Sequence, residues 1–243
     1  MNIQYADKAV SAVMERVSAS MPKGFDGRAV LLFSGGRDSS AVAAAFCKAF
    51  PGSELHLLLI DNGLLSRLDN TKRQATLIMG MFPQVQVVFE VKRVSQMMRE
   101  VGMQQIEKDF TERGFSTLLI CCACKLIMNY SAASYAGELG INLVMDGFAD
   151  RQRDYPEQTE EFMTRIRQFY LDKNLVYISP LYDLLTDKGV VNQMLEEFGY
   201  RIPKQEPVCM FADSFSTAKP EQIVPYVDKT IQLIKRSNVA LHC

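Results

Sequence analysis

Phe33-Ser34-Gly35-Gly36-Arg37-Asp38-Ser39-Ser40 follows the apolar run Arg28-Ala-Val-Leu-Leu-Phe33 and opens an alanine-rich stretch that ends at Phe50. An apolar run, a glycine pair and a helix-compatible stretch predict strand, tight turn and helix. A turn of this kind at the carboxyl end of a strand leaves the first backbone N–H groups of the helix unpaired and facing outward. Gly35 and Gly36 let an anion approach without a Cβ in the way, and Ser34, Ser39 and Ser40 add hydroxyl donors. The stretch is suited to phosphate oxygens. It is neither a Walker loop, which needs Gly-x-x-x-x-Gly-Lys-Ser/Thr, nor a dinucleotide fingerprint, which needs Gly-x-Gly-x-x-Gly.

Outward from this loop the chain alternates. Strands are expected at 54–60, 85–91, 142–145 and 175–178, with helices at 71–82, 94–110 (interrupted only by Gly102), 126–139, 157–170 and 187–198. Such alternation predicts an α/β fold, a doubly wound parallel sheet of about five strands. Residues 200 to 218 lack clear periodicity, and Pro220 opens a last helix reaching about Arg236. The expected organisation is a domain over 1–199, an N-terminal helix followed by the sheet, with a short C-terminal loop and helical extension over 200–243 packed on it.

Composition narrows the function classes. The chain has 243 residues, 48% of them hydrophobic and 23% charged, as in an ordinary globular protein. Its 27 Lys and Arg against 28 Asp and Glu give a net charge of -1, so no global field gathers a polyanion and any nucleic-acid partner needs a local basic patch. Asp7, Lys8, Glu15 and Arg16 interrupt the first twenty residues too often for a secretory signal, and no apolar run approaches the roughly 18 residues of a membrane span. A cytoplasmic protein without a membrane partner is expected, and a homo-oligomer is compatible with this composition.

Six cysteines are too few for a disulfide scaffold, and three crowd into Cys121-Cys122-Ala123-Cys124. Cys121 and Cys124 form a C-x-x-C pair near an expected helix start, where the helix dipole favours thiolates, and Cys209 follows Cys124 by 85 residues. Clustered cysteines in a reducing compartment suggest metal or sulfur chemistry. Zinc is one reading; with only His56 and His242 in the chain its ligands would be mainly cysteine. Cys47 reads as a core residue and Cys243 as a tail thiol.

The segment from Ser34 to Ser39 resembles the Ser-Gly-Gly-x-Asp-Ser signature of the PP-loop, or N-type ATP pyrophosphatase, superfamily. Membership implies that ATP is cleaved between its α and β phosphates, that AMP is transferred to a substrate oxygen, and that Mg2+ offsets the phosphate charge. On this resemblance Ser34, Gly35, Gly36, Arg37, Asp38, Ser39 and Ser40 bind the nucleotide, with Asp38 catalytic beside the metal. Asp61 and Asn62 lie where these folds contact adenosine, and Gly147 belongs to the turn after the fourth strand.

The C-x-x-C pair with one distant cysteine is similar to the arrangement in PP-loop tRNA thiolases, the 2-thiocytidine and 2-thiouridine synthetases, where three such cysteines hold an iron-sulfur cluster. That resemblance implies a 4Fe-4S cluster on Cys121, Cys124 and Cys209, with one iron left to take external sulfide. Cluster-free 2-thiouridylases offer a second reading, in which Cys124 and Cys209 form a persulfide and resolving pair, since Cys124-Lys125 and Pro207-Val208-Cys209-Met210 resemble their sites. Either way Cys124 and Cys209 are the catalytic cysteines. The chain lacks the paired C-x-x-C zinc ribbons that many tRNA thiolases carry. Asp146-Gly147, followed by Arg151, Arg153, Asp154 and Tyr155, also resembles the sulfur-inserting enzymes of nickel-pincer cofactor assembly. The acceptor is therefore a small nucleotide or tRNA, and the sulfur comes from a donor protein or from sulfide. Arg151, Arg153, Arg165 and Arg167 are candidate phosphate ligands, although Glu160 and Glu161 favour a solvated helix face for the last two. The expected activity is ATP-dependent sulfur transfer. A PP-loop ligase with a nitrogen nucleophile and structural zinc is the alternative, and a nucleotide-binding module without turnover is a third.

Overall fold

The computed structural model describes residues 3–66, 68–113, 119–182, 188–200, 208–209, 211 and 218–237. Five strands form one parallel sheet: β1 (Arg28–Leu32), β2 (Glu54–Asp61), β4 (Gln86–Arg93), β5 (Leu143–Met145) and β6 (Val176–Ile178), in the order β4-β2-β1-β5-β6. Registers such as Leu31↔Leu57 and Leu31↔Met145 place β1 at the centre. The chain grows outward from β1 in both directions, so the order reverses between β1 and β5. In an open parallel sheet a crevice forms at that reversal, beyond the carboxyl ends of the strands.

Central parallel strands are buried on both faces and so carry near-continuous apolar runs. Alternate residues of β1 and β2 feed two separate cores. Val30, Leu32, Leu58 and Ile60 face α6 (Ile120–Leu139), α7 (Glu160–Leu171) and α9 (Pro220–Arg236). Ala29, Leu31, Phe33, Leu55 and Leu57 face α1 (Ile3–Ala19), α2 (Arg37–Ala49) and α8 (Lys188–Glu197). Ala41, Ala43, Ala44 and Ala45 of α2 are fully buried, and their small side chains let this helix lie close to the sheet. The fold is thus doubly wound α/β, and α9 packs on α6 and α7. Among the described residues no helix is long and apolar enough to cross a membrane.

Four elements differ from the sequence reading. The helix expected over 94–110 is broken into α4 (Ser95–Met97), a π turn over Met98–Gly102, a 3-10 turn over Met103–Gln105, and α5 (Ile106–Arg113). The wider π turn keeps Met97, Met98 and Val101 all buried against the same core. Helix α6 begins at Ile120 rather than at 126, so the cysteines lie inside its first turns. Its N-cap is Leu119, with no side-chain cap, and the turn is fixed instead by burial of Leu119, Ile120, Cys122 and Ala123. Ahead of α7 the chain makes a 3-10 turn over Pro156–Gln158, and Thr159 caps the helix by accepting from the Phe162 N–H at 3.4 Å.

The fourth difference is a second sheet of two strands. β3 (Leu65–Ser66) pairs antiparallel with β7 (Val208–Cys209) in the register Leu65↔Cys209. Cys209 was expected in an irregular loop; a strand ladder holds it instead. The remaining helix, α3 (Leu68–Met81), lies between β3 and β4 in sequence. Most of 200–218, including Pro203 and Pro207, lies outside the described residues, as do His242 and Cys243.

Candidate active site

The first N–H groups of α2 open toward the crevice from a turn that is tied down at several points. Gly35 takes φ 74°, a left-handed conformation that L side chains rarely adopt, and a Cβ there would lie 2.8 Å from Thr71 Cα. Thr71 Oγ1 donates to the Ser34 carbonyl at 2.7 Å, fastening α3 to the turn. Within the turn, Gly36 N donates to Ser34 Oγ, Ser39 Oγ donates to Gly36 O, and the Ser34 and Ser39 hydroxyls pair, each at 3.2 Å. Gly36 is the N-cap and carries no side-chain cap bond, so α2 presents its N-terminal dipole to the crevice.

On the opposite wall, the turn after β5 rests on this loop. A Cβ on Gly147 would meet Ser39 N at 2.6 Å and Ser39 Cα at 2.9 Å. Asp146 anchors that turn from beneath: its buried carboxylate accepts from Tyr177 Oη, Ser179 Oγ and, at 3.1 Å, Phe148 N. Burial raises its pKa, and the three hydrogen bonds hold it down in part. Tyr177 stacks on Tyr170 at 4.7 Å, and Tyr170 Oη reaches Asn129 Oδ1 at 2.9 Å, which carries the network back to α6. Asp38 pairs with Arg151, which stands on a 3-10 turn over Asp150–Gln152.

Beside the loop lies a cavity of about 320 Å3. Ser34 lines it, as do Cys121, Cys124 and Cys209, together with Asn62 and Lys125. Cys122 is fully buried in the core behind α6 and takes no part in the wall. Asn62 Nδ2 donates to Cys124 Sγ at 3.0 Å, and Phe211 N donates to Cys209 Sγ at 3.5 Å. The dipole of α6 was expected to favour thiolates, but desolvation prevails. Burial pushes the Cys121 thiol up to about 12, and it raises Cys124 too despite the Asn62 amide and Lys125. Among the described residues no three His, Cys, Asp or Glu side chains are close enough to share a single metal ion.

The other expected site residues divide. Ser40 turns away from the crevice, fully buried and bonded to Tyr200 Oη at 2.9 Å, so it braces α2 rather than adding a phosphate donor. Asp61 Oδ1 accepts from Gly63 N at 3.0 Å and its Oδ2 meets Arg93 Nε at 3.3 Å. Asn62 Oδ1 accepts from Leu64 N at 2.9 Å. Both side chains, expected against adenosine, are engaged in shaping the turn that leads to β3, because short polar side chains satisfy the N–H groups two residues ahead. Arg37 lies half-buried in the first turn of α2. Arg153 pairs with Asp150 and lies 4.8 Å over the Tyr182 ring; Arg165 and Arg167 pair with Asp228 at 3.2 Å and Glu160 at 2.8 Å on the helix surface.

Four polar residues of the cavity lining were not anticipated as site residues. Lys125 lies 4.9 Å over the Phe148 ring, Glu157 is a half-buried carboxyl whose pKa desolvation raises, and Gln152 and Gln158 bond to each other. Lys125 could have been found from its place beside Cys124. The other three sit on short 3-10 turns that carry no periodic signal.

In the comparison with solved structures, the U34-tRNA thiolase NcsA from Methanococcus maripaludis, a structure with its 4Fe-4S cluster, matches over 96% of this chain and 81% of its own, with a TM-score of 0.56 and 14% identity. At that identity the likeness is one of fold. No curated protein matches the sequence significantly. The family model described as queuosine biosynthesis protein QueC matches residues 28–212, from the first strand of the sheet past Cys209. The chain therefore belongs to the QueC family, within the PP-loop superfamily, and is an ATP-dependent PP-loop enzyme.

Proposed function

We propose that this enzyme is an ATP-dependent sulfurtransferase that adenylates an acceptor oxygen and replaces it with sulfur. One observation carries the reading: a single cavity is lined both by Ser34 of the phosphate loop and by Cys121, Cys124 and Cys209. Both halves of such a reaction need the same acceptor atom, so the nucleotide and the sulfur must share one space.

ATP binds with its phosphates on Ser34, Gly35, Gly36, Arg37 and Ser39, at the N-terminus of α2, where the helix dipole favours anions. Asp38, oriented by Arg151, would hold the magnesium that accompanies the phosphates, and that ion would offset their charge. The acceptor oxygen attacks the α phosphorus, a P–O bond forms, the bond between the α and β phosphates breaks, and pyrophosphate leaves. Hydrosulfide then attacks the acceptor carbon, a C–S bond forms, the C–O bond breaks and AMP leaves, with the sulfide proton passing to solvent. No electrons are exchanged. Lys125 and the N–H groups of α2 offset the charge that builds on the departing phosphates.

Three thiols lining one cavity, two of them already accepting N–H hydrogen bonds, are a donor set of the chemical kind a 4Fe-4S cluster takes. Cys121, Cys124 and Cys209 would hold it. Held there, it would supply an iron for binding sulfide. Asn62 then serves the cysteine site by orienting Cys124. The acceptor is tRNA or a small nucleotide, and a reducing cytoplasm suits the thiols.

Protein purified without oxygen tests the reading. Iron and sulfide at about four each per chain, with AMP and pyrophosphate formed from ATP only when an acceptor is present, are the expected results. Zinc in place of iron, or ADP as the main product, would overturn it.

A further inference from the structure

Two side-chain amides in the cavity wall are locked in one polarity from the backbone outward. The Ala149 N–H can only donate, and it donates to Gln158 Oε1 at 3.3 Å. The other end of that amide is therefore Nε2, which can only donate in turn, and it meets Gln152 Oε1 at 2.9 Å. Gln158 is 7% exposed and is fixed further by Tyr182 Oη, which donates to its backbone carbonyl at 2.8 Å. Gln152, half-buried on the adjoining 3-10 turn, is left with Nε2 as its available group, and that group has no hydrogen-bond acceptor among the described residues. Both glutamines line the cavity that Ser34 and the three cysteines also line.

We infer that Gln152 is a donor-only binding residue that recognises the oxygen to be adenylated, and that Gln158 is the positioning residue that sets its polarity. The inference rests on the adenylation reading above and adds the chemistry of the acceptor group at that point: a planar carbonyl, amide or carboxylate oxygen. A hydrogen bond from Gln152 holds one lone pair of that oxygen and leaves the other to attack phosphorus. An N–H or ammonium group placed there would face two N–H hydrogens and be rejected, because unlike a hydroxyl the amide end cannot reverse without breaking its bond to Gln158.

The test measures pyrophosphate release by the anaerobically purified enzyme with Mg-ATP and sulfide, using unfractionated unthiolated tRNA and, separately, UMP as acceptors. Gln152→Glu keeps the shape and still accepts from Gln158, but turns an acceptor toward the cavity; kcat/KM for the acceptor should fall about 100-fold, and Gln152→Met should cost about tenfold. Gln158→Glu acts through its neighbour, because its new carboxylate must draw the Gln152 N–H to itself. The acceptor KM should then rise about tenfold while the ATP KM stays within about twofold. Unchanged acceptor kinetics in Gln152→Glu, or equal changes in both KM values in Gln158→Glu, would overturn the inference while leaving adenylation intact. A wild-type enzyme that releases no pyrophosphate with either acceptor would sink the adenylation reading, and this inference with it.

Discussion

Gly147→Ala should disable ATP binding without unfolding the protein. The added Cβ would lie 2.6 Å from Ser39 N and 2.9 Å from Ser39 Cα, whereas ordinary contact begins at 3.4 Å. Both atoms are backbone, at the first turn of α2, so no side chain can swing aside. Either the turn after β5 or the start of α2 must retreat by several tenths of an ångström. Asp146 resists the first movement with three hydrogen bonds, and Thr71, gripping the Ser34 carbonyl, resists the second. Overpacking of this kind costs about 1–3 kcal/mol of stability. Misplacing the N–H cradle should weaken ATP about 10- to 100-fold, since donors that are slightly misdirected lose most of their advantage over water. Calorimetric titration with Mg-ATP gives the affinity, and thermal unfolding gives the stability. Gly137→Ala is the control, because a Cβ there meets nothing within 4 Å and the site is inside α6. It should raise stability by about 0.5–1 kcal/mol and leave ATP affinity alone. A folded Gly147→Ala protein that binds ATP as wild type does would show that the turn after β5 does not set the phosphate loop.

Other outcomes follow from the cysteine wall and its neighbours. Cys121→Ala, Cys124→Ala and Cys209→Ala should each lose metal and sulfur transfer while ATP affinity changes less than about threefold; Cys122→Ala should keep both and lose about 1 kcal/mol of stability to a small cavity. Metal analysis and unfolding curves on the four variants separate the two patterns. The Cys121 thiol, pushed up to about 12 by burial from an ordinary value of 9.0, makes the metal-free protein sensitive to alkali. Its folded pKa lies above the unfolded one, so its contribution to stability is complete below pH 9 and is lost as pH rises toward 12. Melting temperatures of chelated protein between neutral pH and pH 10 should fall, and by less in Cys121→Ala. Thr71→Val removes the bond to the Ser34 carbonyl and should weaken ATP about tenfold in titration, with the fold retained.

The sheet was legible because apolar runs such as Arg28–Leu32 and Glu54–Asp61 carry their own pattern, and the phosphate loop because the Gly35-Gly36 pair sits where a strand must turn into a helix. Partner choice among polar side chains was not legible. Asp61 and Asn62 have the residue types of a nucleotide contact, yet both are engaged by N–H groups two residues ahead, and Asn62 also reaches Cys124 across 62 positions of sequence. Ser40 has the same hydroxyl as Ser39 one position earlier, but the helix rotates it by about 100° and so into the core. Cys209 was recognised by type while its placement was missed, because a two-residue ladder such as Leu65↔Cys209 is too short to leave a periodic trace. Gln152 and Gln158 escaped notice for a similar reason, since the turns that carry them have no repeat to read.

The most direct test of the account is the identity of the atom that replaces oxygen in the acceptor. Anaerobic enzyme, Mg-ATP and unthiolated tRNA are incubated with isotopically labelled sulfide and ammonium together, and the tRNA is digested to nucleosides for mass spectrometry. A labelled sulfur in one nucleoside, formed in step with AMP and dependent on Cys121, Cys124 and Cys209, is the predicted result. Labelled nitrogen in the product, or sulfur incorporation that survives loss of all three cysteines, would contradict it.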